Sequence, residues 1–277
     1  MKILHIFTYF QPDFTGEGVY FEKMNKCLLE REVQSHVLVV KTREPAGANL
    51  HHGLGGNITY LGLKEKGALK LAFEVVIWLA QNVRRYDAVH MHSQVDRYFA
   101  AALLCRLLGV VCFQSCTLDD SPNQIAITYN KMWRWLIKRL VRLVGVYISI
   151  SPYLYNSALS LLPKKKVVFI PQGVQVPDLV GCAPLKIRER YGYGSDDIIL
   201  LFVGGICVRK GVDVLIEGMP ALVACNRNVR LLIVGPVLEE DYARDLEIRT
   251  VELGLQEHVG FAGPMNEVGD FYQLSDI

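Results

Sequence analysis

The sequence predicts an α/β protein made of two doubly wound, Rossmann-like parallel-sheet domains in tandem. Three observations carry that expectation. Apolar runs of strand length alternate with helical stretches along nearly the whole chain. Several runs, such as "ILLFV" from Ile199, are continuously apolar, as strands buried on both faces are. The alternation also breaks once, at a Pro- and Gly-rich stretch from Pro171, and then resumes.

The first series opens with a strand over 3–7 that Pro12 and Asp13 bring to a stop. Gly16 and Gly18 lead into a helix over 19–31. Strands over 36–40 and 58–61 follow, then a helix over 68–85. Its apolar core, "LKLAFEVVIWLA", is too short to span a membrane and carries Lys70 and Glu74. A strand over 88–91 lies in "YDAVHMHS", a helix over 97–108 comes next, and "VVCFQSCTLDD" holds a strand over 110–113. The helix expected over 129–144 sets Trp133, Leu136, Ile137, Leu140, Val141 and Val144 opposite Lys131, Arg134, Lys138 and Arg142. That cationic stripe suits an anionic membrane surface or, more plainly, solvent over a helix that covers the sheet. A strand over 145–150 runs to Ser151, which caps a helix over 152–161 with Pro152 in its first turn. A strand over 167–170 closes the series.

The stretch over about 171–197 reads as a linker with one short helix near 185–191, which separates a domain over 1–175 from one over 176–277. The second series has strands over 198–203, 230–234 and 258–261. Helices are expected over 212–224 and 239–253, with a short one near 267–274. Three strands are few for an open parallel sheet, and the closing "SDI" resembles the start of a fourth. The second domain is therefore expected to be incomplete, with the chain a C-terminally truncated fragment.

Composition narrows the function classes. In 277 residues, 30 basic against 28 acidic side chains leave a formal charge of +2, so no strong field draws the protein to nucleic acid. The 7 cysteines are odd in number and scattered, which suits a reducing, cytoplasmic setting. The opening "MKILHIFTYFQPD" has a short apolar core broken by His5 and no small-residue cleavage site, so it reads as a strand and not as a signal peptide. His90 and His92 make an H-x-H pair on one strand face with no third ligand beside them in sequence. His5 and His36 read as packed core histidines. No metal is expected.

Two turns carry chemistry. In "LLFVGGICVRKGVDVLIEGM" a buried strand ends in Gly204 and Gly205, passes Arg209 and Lys210, and becomes helical from Val212. Ligands of open α/β sheets sit beyond the carboxyl ends of the strands, where helix N-termini point. Glycines without a Cβ, open backbone N–H groups and two cations suit a diphosphate there. An ordinary tight turn followed by a solvated helix start accounts for the same residues. The second turn, "TYFQPDFTGEGVYFEKM", repeats the arrangement with Gly16 and Gly18 but lacks the dinucleotide spacing.

Taken together, "FVGGICVRKGVDVLIEGM", "LLIVG", "VVFIPQGV" and "ELGLQEHVGFAGPMNEVGDFYQLSDI" resemble the nucleotide-sugar glycosyltransferases of family four, which have the two-domain GT-B fold. "YDAVHMHS" and "YISISPYL" agree in order, so the likeness covers essentially the whole chain. It implies retaining transfer of a sugar from a nucleotide diphosphate donor to a glycan, lipid-linked or small-molecule acceptor. The setting implied is polysaccharide or cell-envelope glycoconjugate synthesis, in the cytoplasm or at the inner face of the plasma membrane. The donor phosphates fall to Gly16, Gly18, Gly204, Gly205, Arg209 and Lys210. The nucleobase side falls to Gly235, Gly263, Pro264 and Met265. Gln114 stands where the family commonly has a histidine, and as an amide it cannot act as acid or base. Glu17, Asp119 and Asp120 are acceptor-side candidates, although Glu17 also suits a helix start and the aspartates a solvated loop. No cofactor is implied, because cations and helix dipoles stabilise the leaving diphosphate in such enzymes. The paired-glutamate motif of the family would lie beyond Ile277, so the fragment itself is expected to be inactive. Other readings are a nucleotide-sugar epimerase, or a non-catalytic homologue that serves binding or assembly.

Overall fold

The computed structural model describes residues 1–10, 15–40, 57–61, 68–92, 99–116, 135, 139, 141–173, 188–265 and 268–277. The chain divides into two compact units, Met1–Gln175 and Val176–Ile277.

In the first unit the strands are β1 (Lys2–Phe7), β2 (Gln34–Val39), β3 (Ile58–Tyr60), β4 (Ala88–His92), β5 (Val111–Cys116), β6 (Val146–Ser149) and β7 (Val167–Phe169). They form one sheet in the order β3-β2-β1-β4-β5-β6-β7, with every neighbouring pair parallel. The helices between them are α1 (Gly16–Glu30), α2 (Ala68–Asn82), α3 (Phe99–Leu107) and α4 (Pro152–Leu159). The strand order reverses between β1 and β4, so these two strands flank the point where the crossovers part to opposite sides.

Alternate residues of each strand feed two cores. Leu4, Ile6, Val89 and Met91 face Val75 and Leu79 of α2 and Ala101, Ala102 and Cys105 of α3. Phe7, Val37 and Val39 point the other way and pack with Phe10, which follows β1, and with Phe21 of α1. Leu4, Ile6, Val37 and Leu38 have no exposed surface. Each such side chain contributes about 1.5–3 kcal/mol, which is why apolar residues dominate these strands.

The second unit repeats the plan on a smaller scale. Strands β8 (Ile198–Val203), β9 (Val229–Val234) and β10 (Val259–Gly263) lie parallel in the order β10-β9-β8. Helices α5 (Val212–Cys225), α6 (Glu240–Glu252) and α7 (Gly269–Leu274) alternate with them. Ile216, Met219, Leu231, Ile233 and Leu246 form one core, and Ile199, Leu232, Val234, Phe271 and Leu274 the other. The "SDI" residues lie along the edge of β8. Asp276 N donates to Ile199 O at 2.9 Å, Leu201 N donates to Ile277 O at 2.9 Å, and Asp276 Oδ2 accepts from Ile199 N at 2.8 Å.

Several boundaries differ from the sequence reading, each for a local reason. Helix α1 begins three residues before 19, because the Thr15 side chain caps it by accepting from Gly18 N at 3.0 Å. Strand β5 runs to Cys116, past the apolar run, since Gln114 and Ser115 continue the pairing with β4 and β6. Most of the expected helix over 129–144 lies outside the described residues, Lys131, Arg134 and Lys138 included. Of it, Trp135 and Arg139 are helical, with the guanidinium 4.7 Å from the indole ring centre, and Val141–Leu143 form a 3-10 turn. Of the short helix near 185–191, residues 188–190 are helical.

Two glycines separate backbone necessity from indifference. Gly235, at the end of β9, has φ +151°, and a Cβ there would stand 1.9 Å from Gly204 O, a backbone atom. Gly218 is an exposed position inside α5, with open space where a Cβ would go. Gly235→Ala is expected to destabilise the protein by at least about 3 kcal/mol, because a strand end must move. Gly218→Ala is expected to stabilise it by about 0.5–1 kcal/mol through helix propensity. Urea unfolding of the two variants beside the unchanged chain measures both signs.

Candidate functional site

The carboxyl ends of β8, β9 and β10 carry Gly204–Gly205, Gly235 and Gly263 respectively. After β8 the chain passes through a 3-10 turn, Val208–Lys210, into α5. Gly211 joins the two with φ +66°, a left-handed conformation that glycine adopts without penalty. Arg209 and Lys210 are exposed on this turn, two positions and one before the glycine that starts α5. Full positive charges thus stand beside the positive end of a 14-residue helix. Glu239, also exposed, pins the turn by accepting from Val208 N through Oε2 at 3.3 Å.

At Gly204 and Gly205 the space that a Cβ would take is not left empty. A Cβ on Gly205 would meet Leu238 Cδ1 at 2.4 Å, and one on Gly204 would touch the Phe202 ring at 3.2 Å. The protein's own side chains fill those spaces. Nor are the turn amides generally open. Lys210 N donates to Cys207 O, Gly211 N to Val208 O, Val214 N to Gly211 O, and Asp213 N to the Tyr242 hydroxyl. This edge presents Arg209 and Lys210 outward, beside the exposed Val208 and Glu239. Gly263 is different: its φ of +73° requires glycine, and nothing lies within 4 Å of a Cβ built there. Pro264 beside it is exposed, whereas Met265 packs against the core of Ile199, Leu232 and Val234.

In the first unit the notable residues gather where the strand order reverses. His5 and His90 are register partners on β1 and β4, and His92 pairs with Phe7 two residues on, so all three imidazoles share one face of the sheet. The sequence reading of H-x-H without a third member is corrected here, because strand pairing brings in His5 from a position 85 residues before His90. All three are buried. His5 Nδ1 lies 3.0 Å from His92 Nε2, and His90 Nε2 lies 2.7 Å from Ser115 Oγ on β5. His92 stacks on Phe7 with ring centres 4.1 Å apart, and His5 lies 4.4 Å from the Phe21 ring.

Glu17 enters this cluster from the first turn of α1. Its Oε1 stands 3.3 Å from His92 Nδ1, within ion-pair range though off hydrogen-bond alignment. Burial pushes the Glu17 carboxyl up to about 7. Burial also holds all three histidines below the ordinary imidazole range, His92 at about 3, and neighbouring His92 lowers His5 and His90 further. The trio is therefore neutral near pH 7. His36, the other strand histidine, is only half-buried and pairs with Thr59 Oγ1 at 2.9 Å.

The glycines that open α1 also divide. Gly18 is tight: its N–H serves the Thr15 cap, and a Cβ would stand 2.8 Å from Thr15 Oγ1 and 3.2 Å from the Phe10 ring. Gly16 has nothing within 4 Å of a Cβ. Gln114 is fully buried within β5, two residues short of the strand's end. Asp119 and Asp120 lie outside the described residues. Sequence reasoning missed the role of His5, Ser115 and Leu238. Only parallel register could have revealed the first two, and no local signal marks the third.

Two open parallel-sheet units joined in one chain, with helices alternating between the strands, have the fold of the GT-B glycosyltransferases. Residues 14–176 match the family described as Glycosyltransferase Family 4, and residues 185–277 match Glycosyl transferases group 1. The chain belongs to glycosyltransferase family 4. It is 24% identical over 258 residues to a GDP-mannose-dependent alpha-(1-6)-phosphatidylinositol monomannoside mannosyltransferase of Mycolicibacterium smegmatis, covering 88% of this chain and 64% of the relative. It is 26% identical over 215 residues to an uncharacterized glycosyltransferase of Methanocaldococcus jannaschii, covering 70% of this chain and 51% of the relative. The chain thus spans between half and two thirds of the length of these two relatives. Among solved structures it is similar to Anabaena HepE in complex with UDP and glucose, with a TM-score of 0.76 at 18% identity, over 100% of this chain and 72% of that one. A sucrose-phosphate synthase from Thermosynechococcus elongatus gives a TM-score of 0.74 at 16% identity, over 99% of this chain and 74% of that one. Among the described residues no helix is long and apolar enough to cross a membrane.

The contact at Gly205 can be tested without any ligand. Gly205→Ala is expected to destabilise the chain by roughly 1–3 kcal/mol through overpacking against Leu238. Leu238→Ala added to it should recover part of that loss. A double-mutant cycle in denaturant reads the coupling.

Proposed function

We propose that the protein acts in a glycosyltransferase that moves a sugar, with retention, from a nucleotide diphosphate donor to a glycan, lipid-linked or small-molecule acceptor. One observation carries the donor side: exposed Arg209 and Lys210 on the turn between β8 and α5, at the strand edge where ligands of open α/β sheets bind. Two cations and a helix N-terminus there suit a diphosphate leaving group, whose negative charge grows as the sugar departs. The relative that uses GDP-mannose and the neighbour solved with UDP support a nucleotide-sugar donor.

The parts are assigned as follows. Lys210 holds the donor phosphates, with Arg209 beside it as a second cation. Gly235, Gly263 and Pro264 border the nucleobase, where Gly263 leaves the backbone approachable. Met265 supports that wall from the core. Gly205, Gly204 and Gly18 shape the phosphate-side turns through packing, and Gly16, with open space at its Cβ position, offers backbone to the phosphates. Glu17 sits on the acceptor side, with Asp119 and Asp120 as further candidates. Gln114, buried in β5, takes the position usually held by a catalytic histidine, where its amide can hydrogen-bond a sugar hydroxyl. No metal takes part at the donor phosphates, because the cations supply the charge.

The reduced, buried thiols of Cys105, Cys112 and Cys207 suit a cytoplasmic location. The basic residues over 129–144 suit contact with the inner face of the plasma membrane, in cell-envelope glycoconjugate or polysaccharide synthesis.

Calorimetric titration of UDP and of GDP into the chain tests the donor site. Lys210→Ala is expected to weaken the preferred diphosphate by about tenfold or more, the worth of one charge-assisted hydrogen bond of about 1.5–3 kcal/mol. Chelator should leave the affinity unchanged. An unaltered dissociation constant in Lys210→Ala would rule out this phosphate site.

A further inference from the structure

The imidazole trio beneath the start of α1 does more than fill a core. His5, His90 and His92 each offer one ring nitrogen, and these atoms lie within 4.8 Å of one another. We propose that His5, His90 and His92 bind a divalent transition ion of the zinc class at a buried site that ties β1 to β4, with water as the fourth ligand and Glu17 and Ser115 as outer partners.

The contacts around each ring already sort it into an outward and an inward nitrogen. His90 turns Nε2 to Ser115 Oγ at 2.7 Å, which leaves Nδ1 for the ion. His92 turns Nδ1 to Glu17 Oε1 at 3.3 Å, which leaves Nε2. His5 Nδ1 faces that same His92 Nε2 at 3.0 Å. Two nitrogens on a tetrahedral zinc ion, each at ~2.0–2.1 Å from the metal, stand ~3.3–3.4 Å apart. The His5–His92 pair therefore needs to open only slightly, while His90 closes in.

The protons balance without loss. One proton lies between His5 Nδ1 and His92 Nε2. When the ion takes both lone pairs, that proton shifts to the far nitrogen of whichever ring held it. On His5 the far nitrogen is Nε2, a buried atom with no hydrogen-bond partner among the described residues. On His92 it is Nδ1, beside Glu17. A carboxylate behind a histidine ligand is the usual outer arrangement of zinc sites, where it fixes the tautomer and the ring. Three neutral imidazoles, with carboxylate oxygen only in the outer ring of partners, suit Zn²⁺, Co²⁺, Ni²⁺ or Cu²⁺ and not Mg²⁺ or Ca²⁺. The site lies wholly within the first unit and is independent of the donor-phosphate reading.

The test uses the full chain, stripped with chelator, dialysed, and titrated with Zn²⁺ and separately with Co²⁺. One equivalent is expected to raise Tm and then saturate, and Co²⁺ should give the visible bands of a tetrahedral site. Mg²⁺ should leave Tm unchanged. His92→Phe and His5→Phe should abolish the response, and the double variant His51→Gln/His52→Gln should keep it. Because a substitution at a buried histidine can disturb folding, Glu17→Gln supplies a second reading. It leaves the three ligands in place and should weaken Zn²⁺ by about 10–100-fold. The proposal is overturned if no equivalent saturates, if a folded His92→Phe binds as tightly as before, or if Glu17→Gln leaves the affinity unchanged.

Discussion

Parallel strand pairing is the constraint on which the rest of this structure depends. Every strand in both units runs alongside its neighbour in the same direction, so all carboxyl ends in a sheet emerge at one edge. A parallel connection must cross over the sheet, and helices make that crossing in β1–β2, β3–β4, β4–β5, β6–β7, β8–β9 and β9–β10. Each helix then begins near the edge the preceding strand has just reached. Arg209 and Lys210 on one unit and Glu17 on the other stand at such edges for this reason alone. The chemistry of the chain is concentrated by topology before any side chain is chosen.

The glycines show how packing and ligand access compete for the same residue type. Gly204 and Gly205 after β8, and Gly18 in the first turn of α1, read as phosphate cradles, yet Phe202, Leu238 and the Thr15 cap occupy the space their missing Cβ atoms leave. Gly235 is required because two strand ends come too close for any side chain. Gly16 and Gly263 alone of this set leave open space. A glycine-rich turn is therefore partly a solution to close backbone approach inside the protein. The charge of the turn carries the binding argument, and the glycines mainly permit the path that places it.

Burial shapes the first unit in a parallel way. Three histidines and a glutamate on one apolar face would each cost free energy if ionised there without compensation. Neutral imidazoles that hydrogen-bond to one another and to Ser115 lower that cost, and the aromatic rings of Phe7, Phe21 and Phe113 close around them. Glu17 at the rim feels the same dry surroundings, which raise its carboxyl to about 7. The neutrality of the cluster is thus a result of its surroundings. Nothing in the histidine residues themselves requires it.

Much of this architecture was legible in the amino-acid order. A short apolar run marked β1 and a continuous one marked β8, and the helical spacing of Val212, Ile216 and Met219 marked α5. Ser151 before Pro152 marked the start of α4, and the break from Pro171 marked the change of unit. These features are local, because strand burial, helix faces and caps depend on residues a few positions apart. Polar Gln114 and Ser115 hid the end of β5, since their place in the sheet depends on partners in other strands. The meeting of His5 with His90 and His92, the clash that Leu238 would make with a larger Gly205, and the raised Glu17 carboxyl could be decided only by the folded chain. Register, close packing and dry surroundings arise from residues far apart in sequence, and only tertiary structure brings those residues together.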